Sequence, residues 1–341
     1  MKRHALFLLP ALALYGAEIS WSPLPALPDA EGFAGSFAGV SGGALLVAGG
    51  ANFPDAPPWR GGTKTWYDGI FALDRPDGAW RVAGRLPRPN GYGVSLSIPE
   101  GLVCIGGGDA AAHFREAFVL RVFKEGLVNE PLPPLPRPCA YMAGAVLDGV
   151  LHVCGGTEKP DATEAMPAFW ALDMREEKPA WRELPACPGP ARILAVMGAH
   201  DGALYLFSGA ALKAGADGRP EREWLRDAWK YTAASRTWKR IADLPRVAVA
   251  APGPAPVVEG RLLVVGGDDG ANAAFEPKDE HPGFPRGILA YDPARDEWSG
   301  AGEAPFSLVT TALVEWQGRL VIPGGEARPG KRSPQVWSGG W

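Results

Sequence analysis

The sequence has few of the residues that build metal and redox centres. It contains 4 cysteines and 5 histidines among 341 residues, and the histidines lack the close spacing of metal ligands. There is no Gly-x-Ser-x-Gly elbow, and no helical pattern follows Gly106-Gly107-Gly108, as a dinucleotide-binding loop would require. The sequence therefore predicts neither a metal nor a cofactor, and it argues against a serine hydrolase.

An excess of positive charge is also missing, and long apolar runs are scarce. The formal net charge is −4 and no basic run occurs, so nucleic acid is not an expected partner. No segment is long and apolar enough for a membrane helix in the mature protein. The start does follow an export-signal pattern: Lys2-Arg3-His4 is basic, residues 5–14 are apolar, and Gly16-Ala17 is small. We therefore predict a signal peptide over residues 1–17 and a periplasmic or secreted protein.

Glycine, by contrast, is abundant and regularly placed. Six hydrophobic strands each end in a pair of small residues, and these pairs end at positions 50, 107, 156, 209, 267 and 325. A strand followed by two glycines, repeated at about 50 residues, is typical of kelch repeats, each of which forms one four-stranded blade. The strands span residues 45–50, 102–107, 151–156, 204–209, 262–267 and 320–325.

The rest of each repeat supports this interpretation. A polar loop, an aromatic strand, a Trp strand and a Leu-Pro turn follow most of the small-residue pairs, as with Trp80 and Leu86-Pro87. The last repeat lacks its Trp strand, and the N-terminal segment around Trp21 supplies one. The sequence therefore predicts an all-β fold, a six-bladed propeller closed by an N-terminal strand, as a single domain over residues 18–341. The aromatic residues are expected to pack between blades.

Cysteines do not suggest a disulfide framework. Cys104 and Cys154 fall in strands of adjacent repeats but at different offsets from their glycine pairs. Side chains alternate between the faces of a strand, so these two should point in opposite directions. Buried free thiols are the expected state.

Strand direction locates the candidate site. The loops after each glycine pair and the segments after each Leu-Pro turn should meet at one mouth of the central channel, the usual small-molecule site of such a ring. Several cations there, with one carboxylate directly after the last glycine pair, suit an anionic ligand and a proton transfer. The candidates are Glu326 and Arg332 as catalytic residues, and Asn52, Lys64, Arg88, Asn90, Arg137 and Arg192 as substrate-binding residues.

A family resemblance is carried by Gly35 to Val40 leading to Gly49 to Pro54, by Tyr92 to Leu96, and most specifically by Gly325-Glu326-Ala327-Arg328-Pro329-Gly330-Lys331-Arg332. These segments resemble the N-acetylneuraminate epimerases, or sialic acid mutarotases, and their cyclically permuted bacterial relatives. In the founding member of that family, the motif similar to the last segment lies mid-chain. Here it lies in the final repeat, so the blade order is rotated, which a closed ring tolerates.

The resemblance implies a catalytic Glu at Glu326 and a nearby functional Arg at Arg332. It implies an isomerase that interconverts the α and β anomers of N-acetylneuraminate or a related acid sugar by acid–base catalysis, without a cofactor. Two alternatives remain open. One is a non-catalytic kelch propeller that binds a glycan or a protein. The other is a copper oxidase on a kelch ring, which needs Tyr, Cys and His ligands and is disfavoured by the sparse histidines.

Overall fold

The protein was analysed as a computed structural model that describes residues 19–124 and 126–341. The predicted export segment, residues 1–17, lies outside the described residues. Six four-stranded antiparallel sheets form six blades around a central channel, which confirms the predicted propeller. In the described ranges, no helix is long and apolar enough to span a membrane.

Each blade runs from a first strand at the channel to a fourth strand at the rim. Strand β1, Ser20–Leu24, belongs to the last blade. Blade 1 comprises β2 Phe37–Ser41, β3 Ala44–Ala48, β6 Gly69–Leu73 and β7 Arg81–Arg85. Blade 2 comprises β8 Val94–Ile98, β9 Gly101–Ile105, β10 Ala117–Phe123 and β11 Gly126–Leu132. Blade 3 comprises β12 Ala143–Leu147, β13 Val150–Cys154, β14 Phe169–Asp173 and β15 Arg182–Glu183. Blade 4 comprises β16 Val196–His200, β17 Ala203–Phe207, β20 Ala228–Thr232 and β21 Thr237–Ile241.

Blade 5 comprises β22 Val257–Val258, β23 Arg261–Val265, β24 Gly287–Asp292 and β25 Glu297–Glu303. Blade 6 comprises β26 Val314–Trp316, β27 Arg319–Pro323, β30 Val336–Gly340 and β1. Short hairpins extend three of the blades at one mouth: β4 Ala51–Asn52 with β5 Thr65–Trp66, β18 Ala210–Ala214 with β19 Pro220–Trp224, and β28 Glu326–Arg328 with β29 Lys331–Arg332. Two 3-10 turns, Pro58–Arg60 and Lys278–Glu280, lie in loops at this mouth.

Closure of the ring is the feature that joins the two chain ends. Strand β1 pairs antiparallel with β30, so that Ser20 lies opposite Gly340. The Trp21 ring packs edge-on against Phe306, with ring centroids 5.0 Å apart. The pairing removes the free edge that blade 6 would otherwise expose to another chain.

The glycine pairs turn the chain where the second strand of a blade reaches the mouth. Gly49 and Gly50 have φ of 64° and 92°, a region that only glycine enters at low cost. A Cβ atom at Gly50 would lie 2.2 Å from Ser36 Oγ in the same blade. The backbone approach and the left-handed turn together explain why this position is glycine.

Tryptophans join neighbouring blades at the outer rim. In blades 1, 3, 4 and 5 the indole nitrogen of a tryptophan in or next to the fourth strand donates a hydrogen bond of 2.7–2.8 Å to a carbonyl at the end of the preceding blade. The pairs are Trp80 with Pro25, Trp181 with Pro133, Trp238 with Pro185, and Trp298 with Ala242. The repeated Trp therefore adds a directed bond to the packing that the sequence predicts.

A closed circle of backbone hydrogen bonds surrounds the channel at the mouth. One residue per blade donates its N–H to the carbonyl of the equivalent residue in the preceding blade, at 2.7–2.9 Å. All six members have φ between 55° and 68°. They are Gly35, Tyr92, Tyr141, Leu194, Ala250 and Thr310. We call this circle the mouth ring; it places the side chains of its members at the entrance to the channel.

All four cysteines are free, as expected from the sequence. Cys104 packs in the core between blades 1 and 2, and Cys154 packs between blades 3 and 4. Burial raises the pKa of both thiols, which keeps them protonated and unreactive.

Candidate functional site

A cavity of about 380 Å³ lies at the mouth, within the size range of small-molecule pockets. Four charged side chains line it, one or more from each of the three mouth hairpins or their loops: Lys64, Arg222, Glu326 and Arg332. The uncharged lining comes from the mouth ring and from the loops of blades 3 and 4, and comprises Tyr92, Tyr141, Thr157, Pro160, Ala162, Ile193, Leu194, Leu212, Pro220 and Thr310.

Glu326 is held in place by the hairpin in which it lies. Its backbone pairs with Val309, through bonds of 2.8 and 3.0 Å. Its Oε1 atom accepts a 2.7 Å hydrogen bond from the Gly330 N–H and lies 2.9 Å from Arg332 Nη1. The side chain remains 20% exposed. Both of these contacts use Oε1, so Oε2 is the oxygen left to face a ligand.

Arg332 is the buried partner of this pair. Its side chain is 5% exposed, lies over the Phe53 ring at 5.0 Å, and directs Nε towards the Ala51 carbonyl at 3.4 Å. Burial works to lower the pKa of Arg332, but the Glu326 carboxylate and the Tyr92 hydroxyl outweigh it and raise the pKa overall. Arg332 therefore stays charged and fixes the orientation of Glu326.

Lys64 is a half-buried cation in the loop between β4 and β5. Its Nζ lies 4.0 Å from the centroid of the Tyr92 ring and 4.7 Å from that of Trp66. Burial, and secondarily the charge of Arg332, lowers the pKa of Lys64 from 10.5 to about 8. The aromatic faces stabilise the ammonium, but among the described residues no carboxylate pairs with it.

The wall beside Glu326 is reinforced by contacts between loops of different blades. Arg60 of blade 1 forms a 2.7 Å ion pair with Asp279 of blade 5, and Arg328 of blade 6 donates a 2.6 Å bond to the Asp279 carbonyl. Lys331 pairs with Glu31 at 2.6 Å. These contacts tie the blade 1, 5 and 6 loops together around the Glu326 hairpin.

Three of the predicted binding residues are used inside the fold. Asn52 donates to Asp29 and to the Gly32 carbonyl and accepts from Tyr67, and Asn90 donates to the Gly106 carbonyl. Arg192 is 1% exposed and forms two hydrogen bonds, of 2.8 and 2.6 Å, with Asp227. These three residues do not line the cavity, and their side chains bond within the fold, so their binding role remains a prediction from the sequence.

Arg88 and Arg137 lie near the mouth but outside the cavity. Arg88 pairs with Glu116 at 3.0 Å and stacks on Phe114, and Arg137 forms a two-point pair with Glu158. Each side chain is 54% exposed. Each already has a carboxylate partner and does not line the cavity, so the binding role of both likewise remains a prediction.

Tyr92, Tyr141 and Arg222 line the cavity but were not predicted from the sequence as site residues. A signal for the two tyrosines was present, because each lies six residues after the Leu of a Leu-Pro-Arg-Pro turn, at Leu86 and Leu135. Burial raises the pKa of Tyr141, so its hydroxyl stays protonated. Arg222 lies in the blade 4 hairpin, which has no counterpart pattern in the repeats and gave no signal.

Two mouth-loop histidines serve the fold instead of the cavity. His113 bonds to the Thr157 carbonyl through Nδ1 at 2.8 Å, and His281 accepts from the Gly283 N–H. Across residues 19–124 and 126–341, no group of three or more His, Cys, Asp or Glu side chains is placed to hold a metal ion.

Comparison with known proteins supports the resemblance. The profile of the N-acetylneuraminate epimerase family matches residues 11–127. The resemblance to that family is confirmed. A curated N-acetylneuraminate epimerase of Yersinia pestis (strain Pestoides F) is 41% identical over 111 residues, which are 28% of this chain and 27% of the relative. One from Yersinia enterocolitica is 28% identical over 236 residues, 62% of this chain and 57% of the relative.

These matches cover part of the relatives only, between about a quarter and just over half of their length. The family match includes Lys64 and Tyr92 and ends before Glu326. The solved structure of YjhT superposes with a TM-score of 0.67 at 16% identity, covering 91% of this chain and 95% of that chain. The structural similarity extends the shared fold to nearly the whole ring.

Proposed function

We propose that the protein interconverts the anomers of N-acetylneuraminate or a related acid sugar, with Glu326 as the acid–base group. The observation that carries this proposal is the Glu326 carboxylate, fixed through Oε1 by Arg332 and Gly330, with Oε2 free at a cavity that is otherwise cationic. The names of the curated relatives point to the same chemistry.

The reaction needs only proton transfers. Glu326 takes the proton of the anomeric hydroxyl while a solvent water molecule gives a proton to the ring oxygen, so that the bond between the anomeric carbon and the ring oxygen breaks and a ketone forms. Rotation about the adjacent carbon–carbon bond presents the other face of the ketone. The ring oxygen then attacks that face, gives up its proton, and the new hydroxyl regains one. Arg332 acts as a positioning residue, because it holds Glu326 in one orientation.

We expect Glu326→Gln to slow the catalysed anomerisation by about 10²–10⁴-fold, because it keeps the size of the side chain and removes the proton acceptor. The measurement is time-resolved NMR of freshly released α-N-acetylneuraminate with wild type and variant. Glu158→Gln is the matched control, since Glu158 is a mouth-loop carboxylate outside the cavity. Full activity in Glu326→Gln would contradict the assignment. Binding without any acceleration by wild type would favour a non-catalytic binding ring.

A further inference from the structure

The cavity contains more positive charge than its own carboxylate neutralises. Its charged lining is three cations, Lys64, Arg222 and Arg332, against Glu326 alone. Arg332 forms an ion pair with Glu326 at 2.9 Å and is almost fully buried. Glu326 thus balances the charge of Arg332, and the cations of the cavity that lack a carboxylate partner are the better candidates for binding the substrate's charge.

Lys64 and Arg222 are the cations left available. Within the described chain, neither forms an ion pair or a side-chain hydrogen bond with a protein group. Lys64 is fixed between Tyr92 and Trp66 on the blade 1 side. Arg222 lies on the blade 4 side of the mouth, in the β18–β19 hairpin, where it is paired with Leu212. Lys64 and Arg222 line the same cavity, so an anion that enters it is attracted by two cations with no carboxylate of their own.

We propose that Lys64 and Arg222 together bind the carboxylate of the acid sugar, and that Arg222 is a specificity-determining residue for acid over neutral sugars. This inference rests on the proposed function and refines it, because it separates the residue that moves the proton from those that recognise the charge. With the carboxylate held there, the anomeric carbon that bears it lies in the cavity that Glu326 also lines. Thr310 and Tyr141 line the same cavity and offer hydroxyls to the rest of the sugar.

The experiment compares N-acetylneuraminate with its methyl ester, which keeps the ring and removes the charge. Binding is measured by calorimetry on wild type, Arg222→Gln, Arg222→Lys and Lys64→Gln, and anomerisation is followed by NMR in parallel. Arg219→Gln is the matched control, because Arg219 lies beside the same hairpin with its side chain 86% exposed and outside the cavity. Melting temperatures of all variants report whether each one folds.

We expect Arg222→Gln and Lys64→Gln each to weaken binding of the acid by about 10-fold, with little change for the ester. Arg222→Lys should recover part of the affinity, and Arg219→Gln should behave as wild type. Equal binding of acid and ester by wild type, or unchanged preference in Arg222→Gln, overturns the inference even if anomerisation is fast. Loss of the preference for the acid over the ester in Arg222→Gln supports the inference, even if wild type catalyses no anomerisation. In that case the proposed function fails and the carboxylate site stands.

Discussion

Lys64 shows how a single side chain makes the mouth sensitive to pH. Its pKa is lowered to about 8 by burial and by Arg332, whereas an exposed lysine keeps its proton up to about 10.5. The charged form therefore dominates below pH 8 and is lost above it. A bound carboxylate favours the charged form and so raises this pKa again.

We accordingly expect the affinity for N-acetylneuraminate to be constant from pH 6 to 7 and to fall as the pH rises through about 8. Lys64→Arg, which keeps its charge throughout this range, should remove the fall. Calorimetric titrations from pH 6 to 10 test both statements. The same alkaline decline in Lys64→Arg would assign it to another group.

The candidate residues show what a sequence can predict about a site. Repeat position predicts which mouth a residue approaches, and Lys64, Glu326 and Arg332 do line the cavity. It does not predict where the side chain points. Arg192 turns into the blade because it donates a hydrogen bond to Asp227, 35 residues further along the chain. Such pairings depend on how blades pack, so the sequence pattern alone did not exclude Arg192.

At the scale of elements, strand β1 completes the sheet of blade 6 and also contacts blade 1. It hydrogen-bonds to β30 along five residue pairs and brings Trp21 onto Phe306. It also precedes Pro25, whose carbonyl receives the Trp80 indole of blade 1. One strand therefore links blade 6 to both chain ends and to blade 1.

We expect a chain that begins at Pro25 to melt roughly 10 °C or more below one that begins at Ile19, because it loses this ladder and its apolar contacts. It should also self-associate, since β30 then presents an unpaired edge. Thermal melts and light scattering on the two chains measure these effects. Identical melting curves would show that β1 contributes little to closure.

The regular elements were predictable and the mouth hairpins were not. Alternating and buried strands, glycine pairs and Trp strands recur with the repeat, and each has a local physical cause. Strands β4, β5, β28 and β29 are two or three residues long in polar segments. They are stabilised by contacts with other blades, such as Arg60 with Asp279. No local pattern encodes such contacts.

At the scale of the whole molecule, the position of the chain ends is arbitrary. Ser20 and Gly340 lie opposite each other in one sheet, so the ring has no preferred start. This explains how the segment with Glu326 can occupy the last blade here although the resembling motif lies mid-chain in the founding member of the family. Spatial neighbours are kept whatever the order of blades.

A circular permutant tests this directly. We join residue 341 to residue 19 through a short Gly-Ser linker and open the chain in the exposed turn between Asp292 and Glu297. We expect it to melt within a few degrees of the parent and to keep its anomerisation rate, because every blade contact is retained. Opening instead between Glu326 and Gly330 separates the two partners of the Glu326 hairpin and should abolish activity in a folded ring. Unfolding of the first permutant would contradict the argument.

The mouth ring has a further consequence for how this entrance can change over evolution. In a helix, peptide dipoles align and leave partial charges at two ends. In the mouth ring each N–H points to the preceding blade at 2.7–2.9 Å and the circle of bonds closes on itself, so the dipoles follow the circle and no end remains. All six N–H groups are used within the circle, so the ring backbone offers a ligand no free donor there. Selectivity depends on the side chains that surround the circle, and these can be exchanged one blade at a time while the circle beneath them persists.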